Sequence, residues 1–391
     1  MSCVIFGAGK IARGFIGHLL YLSKIDFSFV EKFDELVNQL NERGGYTVNV
    51  LGAPEKNAFV TGYKAYGFSE ENEIAEAIAK ADCVFDAVGG KNLQGIVPFL
   101  VKGIELRAKI NPLPLNIVTC ENWKLPDEIL KEGVYAAISP DALEFCKQNV
   151  GFSEAVILRS GIESTPDLLA KDPLTVNVQD YWHLPVDATK LKRPMPEGMM
   201  CVEPKDDFGS FLERKFYTYN VANGATSFVG ALLGYKYIAD AAYDERIEKL
   251  LDGIYKETSL ALSRKHNFPY DEQWAFTRTS LKKLQDRNIV DYIERNARDP
   301  MRKLGHDDRL VGPAVMCLEQ GVEPENVSVA IACALFYDEP SDPSAQTLKQ
   351  IRETKGTDEI LKEVCKIEPN SELWNLVNKK IDLIKSWGWV K

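Results

Sequence analysis

The sequence predicts an α/β protein, with a doubly wound parallel sheet in its N-terminal half and a mostly α-helical C-terminal domain. Three observations predict it. The chain opens with CVIFGAGKIARGFIGHLL, an apolar strand-like run that enters a glycine turn and then an amphipathic helix. Apolar strand-like runs then alternate with helical patterns up to about residue 150, as parallel strands joined by crossover helices require. Beyond about residue 200, long segments of helical periodicity take over.

In the opening turn, Gly7 permits the tight bend after the strand, Gly9 lets backbone approach a pyrophosphate, and Ala12 takes the small position that packs helix against strand. The N–H groups at the helix start, on Lys10, Ile11 and Ala12, then face phosphate. The next strand, FSFVE, ends in Glu31, roughly 20 residues beyond the glycines, where a carboxylate accepts hydrogen bonds from both ribose hydroxyls of NAD. Glu31 should also repel the 2′-phosphate of NADP, and the neighbouring Lys32 only partly offsets that. The N-terminal half therefore reads as a Rossmann domain that binds NAD.

Further along, DELVNQLNERGG reads as a helix, YTVNVLG as a strand, EENEIAEAIAKAD as a helix and CVFDAVGG as a buried strand. Val88 and Gly89 at the end of that strand join the cofactor-binding candidates. A helix over KNLQGIVPFLVKGIELRAK leads to the strand NIVTC, which ends in Glu121 and Asn122, so Gly89–Gly90 and Glu121–Asn122 should open toward one crevice. The runs SEAVILRS and LTVNVQDYW have strand character and are expected to extend the sheet. The segment LPVDATKLKRPMPEGMM, rich in Pro, Lys and Gly, reads as a crossing, giving a cofactor domain over 1–195 and a substrate domain over 196–391. The second half shows helical patterns over FGSFLERKFYTYNVANGATSFVGALLG, DERIEKLLDGIYKETSLALSRK, DEQWAFTRTSLKKLQ and VSVAIACALFY.

Composition excludes several classes of function. Apolar residues make up 45% and charged residues 27% of 391, as in a soluble globular protein. A net charge of −10 argues against nonspecific nucleic-acid binding, which Lys and Arg drive by displacing counterions. No apolar run approaches membrane-spanning length, and the chain begins on a core strand rather than a leader; a cytoplasmic protein without a membrane partner is expected. The eight cysteines show no C-x-x-C and no close pairing with the four histidines, so they read as small buried hydrophobes, and no metal site is expected.

The helix RKFYTYNVANG holds Lys215, Asn220 and Asn223 among aromatic residues. At α-helical pitch Lys215 and Asn220 lie ~140° apart with Asn223 between them, so the three share one broad face. A lysine desolvated there suits proton transfer near neutrality, and carboxamide N–H groups can donate to a developing alkoxide. Arg302, Lys303 and Arg309 are candidates for holding a substrate phosphate or carboxylate; equally, they are helix-end charges paired with Asp307 and Asp308. His183 reads as a structural histidine.

Taken together, GAGKIARGFIG, the CEN of Cys120–Asn122, ERKFYTYNVANG and RDPMRKL resemble the polyol-specific long-chain dehydrogenases, the mannitol dehydrogenase family, nearly end to end. The resemblance implies an NAD-dependent, metal-independent enzyme, working as a monomer on a small polyol or keto sugar. Within the family, the length and the RGFIG opening point to interconversion of mannitol 1-phosphate and fructose 6-phosphate. It further implies that Lys215 is the general base and that Asn122 and Asn220 polarise the reacting oxygen. The family's catalytic helix carries K-x-x-x-x-N-x-x-H, and here Asn223 stands in the place of the histidine. A carboxamide supplies a hydrogen bond there but takes up no proton near neutral pH. Two alternatives remain open at this point: a fructuronate or tagaturonate reductase, and a catalytically impaired NAD-binding sensor.

Overall fold

The computed structural model describes residues 1–162 and 164–390, and the chain divides into two compact units, Met1–Phe208 and Gly209–Lys391. Along the first unit run strands β1 (Ser2–Phe6), β2 (Asp26–Glu31), β3 (Gly45–Leu51), β4 (Ala58–Thr61), β5 (Lys64–Gly67) and β6 (Cys83–Asp86). They are followed by β7 (Leu115–Thr119), β8 (Val150–Glu154), β9 (Gly161–Ile162), β10 (Val176–Gln179), β11 (Leu184–Asp187) and β12 (Val202–Lys205). Six of them form a parallel sheet in the order β5-β2-β1-β6-β7-β8. Strand order reverses between β1 and β6, which places a binding crevice beyond their carboxyl ends.

The apolar alternation of β1 explains why both faces of this sheet are buried. Cys3 and Ile5 pack with Phe15, Phe29 and Val178 on one side; Val4 and Phe6 pack with Ile78, Leu100 and Ile117 on the other. On the latter side, helices Glu71–Lys80 and Leu93–Ile110 cross at Gly103, where a Cβ would come within 2.5 Å of the Ile78 side chain. The buried Arg107 joins these elements by donating to the carbonyls of Ala79, Ala81, Leu113 and Pro114.

One expectation about strands holds in part and another changes. SEAVILRS extends the sheet only by Ser153 and Glu154, the last residues of β8. LTVNVQDYW does not: β10 pairs with β3, in a second sheet of order β4-β3-β10-β9. Helix Ala12–Gly17 lies against β10, and at Gly14 an added Cβ would sit 2.6 Å from the Val178 side chain, so only a bare backbone lets the strand approach. The Pro, Lys and Gly-rich segment read as a crossing instead links β11 to β12, a parallel pair in register Leu184↔Val202 within the first unit.

The second unit is helical. Its long helices Val221–Leu232, Glu245–His266, Tyr270–Leu284, Glu325–Ala334 and Glu372–Ser386 bury one core containing Phe228, Tyr255, Leu284, Ile331 and Val377. Among the described residues no helix is long and apolar enough to cross a membrane, and no group of three or more His, Cys, Asp or Glu could hold a metal ion. All eight cysteines are free thiols, and Cys120 at the crevice is held well above the ordinary thiol range by burial and by the Asp86 and Glu121 carboxyls.

Candidate active site

The expected cofactor residues converge at the strand-order reversal. Gly7 takes φ +88°, and a Cβ there would lie 2.8 Å from the Ala87 carbonyl oxygen, so the turn after β1 passes the end of β6 at a distance only glycine tolerates. Its N–H donates to the Val30 carbonyl at 2.7 Å, fixing the turn to β2. Above Gly9 nothing lies within 4 Å of an added Cβ, which leaves open space where phosphate would sit; Ala12 is fully buried behind it.

A cavity of about 490 Å³ is lined by Gly7, Gly9, Glu31, Phe33, Val88 and Lys91. Another, of about 390 Å³, is lined by Lys10, Ile11, Gly89, Cys120, Glu121 and Gly161. Ala87 borders both, so the two make neighbouring halves of a crevice suited to an elongated ligand. Phe33, 66% exposed, offers an aromatic face beside Glu31, and the sequence reading missed it because a lone Phe after a strand carries no pattern.

Glu31 is only 8% exposed and already occupied. Its Oε2 accepts from the Ala8 N–H at 2.7 Å, and its Oε1 accepts from the Lys32 and Phe33 N–H groups at 2.8 and 3.2 Å. A carboxylate has about four acceptor sites, so one remains, enough for one ribose hydroxyl rather than the two expected. Bare glycine turn, acidic strand end and two-part crevice together fit a dinucleotide.

Both strand-end turns meet as expected. The Gly89 N–H donates to Glu121 Oε1 at 2.7 Å, and a Cβ on Gly90 would overlap the Trp123 ring, so the loop after β6 packs on the loop after β7. Asn122 is exposed beside Glu121.

In the second unit, the helix carrying Lys215 is not uniformly α-helical. Phe208–Lys215 is α-helix, Phe216–Asn220 is a π turn closed by the Val221 N–H on the Phe216 carbonyl, and Val221–Leu232 is α-helix again. With i→i+5 bonding, residues five apart stack more nearly above one another, so Lys215 and Asn220 approach a common line rather than the ~140° expected. Asn223 Nδ2 donates to Asn296 Oδ1 at 3.1 Å. Asn296 in turn donates through Nδ2 to Asp291 Oδ1 at 2.6 Å and to the Tyr292 carbonyl at 2.9 Å, which fixes both amides and turns the Asn223 oxygen away from Asn296. Lys283, absent from the expected set, is pushed down to about 8 by burial first and by the nearby Lys215 charge second.

The basic candidates separate. Arg302 is exposed and pairs with Asp299 and Asp308 at 2.9 and 3.2 Å, a surface network. Lys303 is 5% exposed, and its Nζ donates to the carbonyls of Asn296 and Arg298, so two of its three donors are spent on holding the loop. Burial, then Arg309 and Arg302, push it down to about 7. Arg309 pairs with Asp308 at 2.9 Å, sits over Phe216 of the π turn and lies along Gly224, the residue after Asn223. His183 pairs with Glu203 on β12, a structural contact. His306 takes the Asp307 partner at 2.9 Å.

Known proteins share this arrangement of halves. Residues 1–198 match the mannitol dehydrogenase Rossmann domain, and residues 207–385 match the mannitol dehydrogenase C-terminal domain. A mannitol-1-phosphate 5-dehydrogenase of Bacillus licheniformis is 34% identical over 380 residues, 96% of this chain and 98% of that protein. One from Thermoanaerobacter pseudethanolicus is 31% identical over 385 residues, 98% of each. Among solved structures, a substrate-free D-sorbitol dehydrogenase superposes with a TM-score of 0.78 at 14% identity, covering 99% of this chain and 93% of that one. The Pseudomonas fluorescens mannitol 2-dehydrogenase, in ternary complex with NAD and D-mannitol, gives 0.71 at 14% identity, covering 100% and 92%; both share the fold. With each half matched to its counterpart and relatives aligned along nearly the whole length, the chain belongs to the mannitol dehydrogenase family.

Proposed function

We infer that this protein is an NAD-dependent, metal-independent oxidoreductase that interconverts mannitol 1-phosphate and fructose 6-phosphate. What carries the reading is its kinship, over 96–98% of its length, with proteins named mannitol-1-phosphate 5-dehydrogenase. The nicotinamide, when bound, supplies the hydride acceptor or donor at its C4. The chain's own residues handle the proton and the oxygen. In alcohol oxidation, neutral Lys215 Nζ takes the hydroxyl proton as the carbinol C–H bond releases its electron pair. The carboxamide of Asn220, on the same π turn as Lys215, donates N–H to the oxygen, stabilising its negative charge until the carbonyl forms. Arg309, beside the π turn and Gly224, is the basic residue best placed to face the substrate phosphate. The working unit is the monomer, which light scattering at enzyme concentration checks.

The test is NADH consumption with fructose 6-phosphate, fructose, fructuronate and tagaturonate in parallel. The highest kcat/KM is expected with fructose 6-phosphate. A preference for either keto-hexuronate, or NADH binding with no turnover of all four, overturns the assignment.

A further inference from the structure

We propose that Asp86 and Glu121 share one proton at the floor of the nucleotide crevice, and that Asp86 is thereby a positioning residue for the Gly89 turn. This rests on reading that crevice as the dinucleotide site. Asp86 ends β6 with no exposed surface. Its strand neighbours in register are Phe6 on β1 and Thr119 on β7, neither of them charged. Its backbone carbonyl is taken by the Cys120 N–H at 2.9 Å. As a carboxylate its two oxygens find no donor, a costly state for a fully buried charge. Protonated, its O–H donates to the Glu121 side chain.

Glu121 is the better seat for the negative charge. It accepts the Gly89 N–H at 2.7 Å and a further backbone N–H at Val88, and it lines the cavity of about 390 Å³. The proton therefore stays on Asp86 and the charge on Glu121, so that one carboxylate is held by Asp86 O–H from below and by the Gly89 turn from the side. Burial first, and the Glu121 charge second, raise Asp86 well above the usual carboxylate range. Among the described residues, the other titratable groups at the pair are the neutral Cys120 thiol and Lys10, which borders the same cavity. When the second proton leaves, two like charges occupy one site, Glu121 turns outward, and the Gly89 N–H loses its acceptor.

The experiment uses the full-length protein without nucleotide. Infrared spectra near pH 7 should show the carbonyl stretch of a protonated carboxyl group that is absent in Asp86→Asn and that disappears as pH rises. Hydrogen-exchange protection of the Gly89 amide, corrected for intrinsic rate, should fall by about tenfold with the same midpoint. Asp86→Asn, whose amide still donates to Glu121 and cannot ionise, should keep that protection across the range. Glu121→Gln, useful if Asp86→Asn misfolds, should keep the infrared band and lower its midpoint, because a neutral amide replaces the repelling charge. A spectrum without the band in the wild type, or Gly89 protection with the same pH dependence in both wild type and Asp86→Asn, overturns the proposal. NADH affinity, measured separately, judges the crevice: no NADH binding with both signatures intact refutes the nucleotide reading and leaves the shared proton standing.

Discussion

Lys215 caps one π turn and Asn220 is its last residue, so the two residues that α-helical pitch would splay apart are brought toward one line of the helix. The widening falls between a candidate base and a candidate oxyanion donor, and it is flanked by regular helix on both sides. Lys215→Ala should lower kcat by about 10²- to 10⁴-fold while leaving the dissociation constant for NADH unchanged. Turnover near wild type in that variant would remove Lys215 from the chemistry.

Glu31 both faces the crevice and ties down the Ala8, Lys32 and Phe33 N–H groups. NADH should therefore give a higher kcat/KM than NADPH. Glu31→Ser should weaken NADH binding by more than the loss of one ribose contact, because three backbone donors lose their acceptor together. A higher kcat/KM with NADPH in the wild type would contradict the role given to Glu31.

Asn223→His places a titratable ring where the Asn296 oxygen can accept from it. The variant's kcat/KM for fructose 6-phosphate should gain a step between about pH 5 and pH 8 that the wild type lacks. Superimposable pH profiles would show that position 223 does not meet the substrate.

Lys303 gives a pH-dependent stability with a definite sign. Its folded value, about 7, lies below the ordinary lysine value, so the unfolded chain binds more protons between the two. Its contribution should thus rise with pH from about 7 to about 10 and stay flat below. Denaturant midpoints measured across that range should climb more steeply for wild type than for Lys303→Met, and equal slopes would refute the assignment.

Gly14→Ala should destabilise the first unit by about 1–3 kcal/mol, since its Cβ would meet Val178 at 2.6 Å. Adding Val178→Ala should recover part of that loss, a coupling seen as non-additivity in thermal or denaturant unfolding.

The glycine turn, Glu31 and the alternation of elements were legible because tight turns and buried parallel strands impose residue types at fixed spacing. Strand β5 was not, since KAYG is short, partly polar and sits at the sheet edge. The partner of β10 escaped because its apolar pattern reports burial on both faces and not which strand it meets. A π turn leaves the hydrophobic pattern almost unaltered, so the approach of Lys215 to Asn220 had no signature. Lys303 owes its role to loop carbonyls a few residues back, Asn296 to a partner 73 residues away and Asp86 to complete burial, and a single polar letter reveals none of these.

The register Val176↔Val48 in the second sheet also orders events during synthesis. Translation produces the glycine turn almost at once, and Phe29 and Tyr46 soon cover Gly17, yet the Gly14 face of the helix that follows is covered only when Val176 and Val178 arrive. Until then a nascent chain carries the helix behind the phosphate loop with one face bare, so the support of that loop rests on a contact about 160 residues downstream, the long-range kind that forms late.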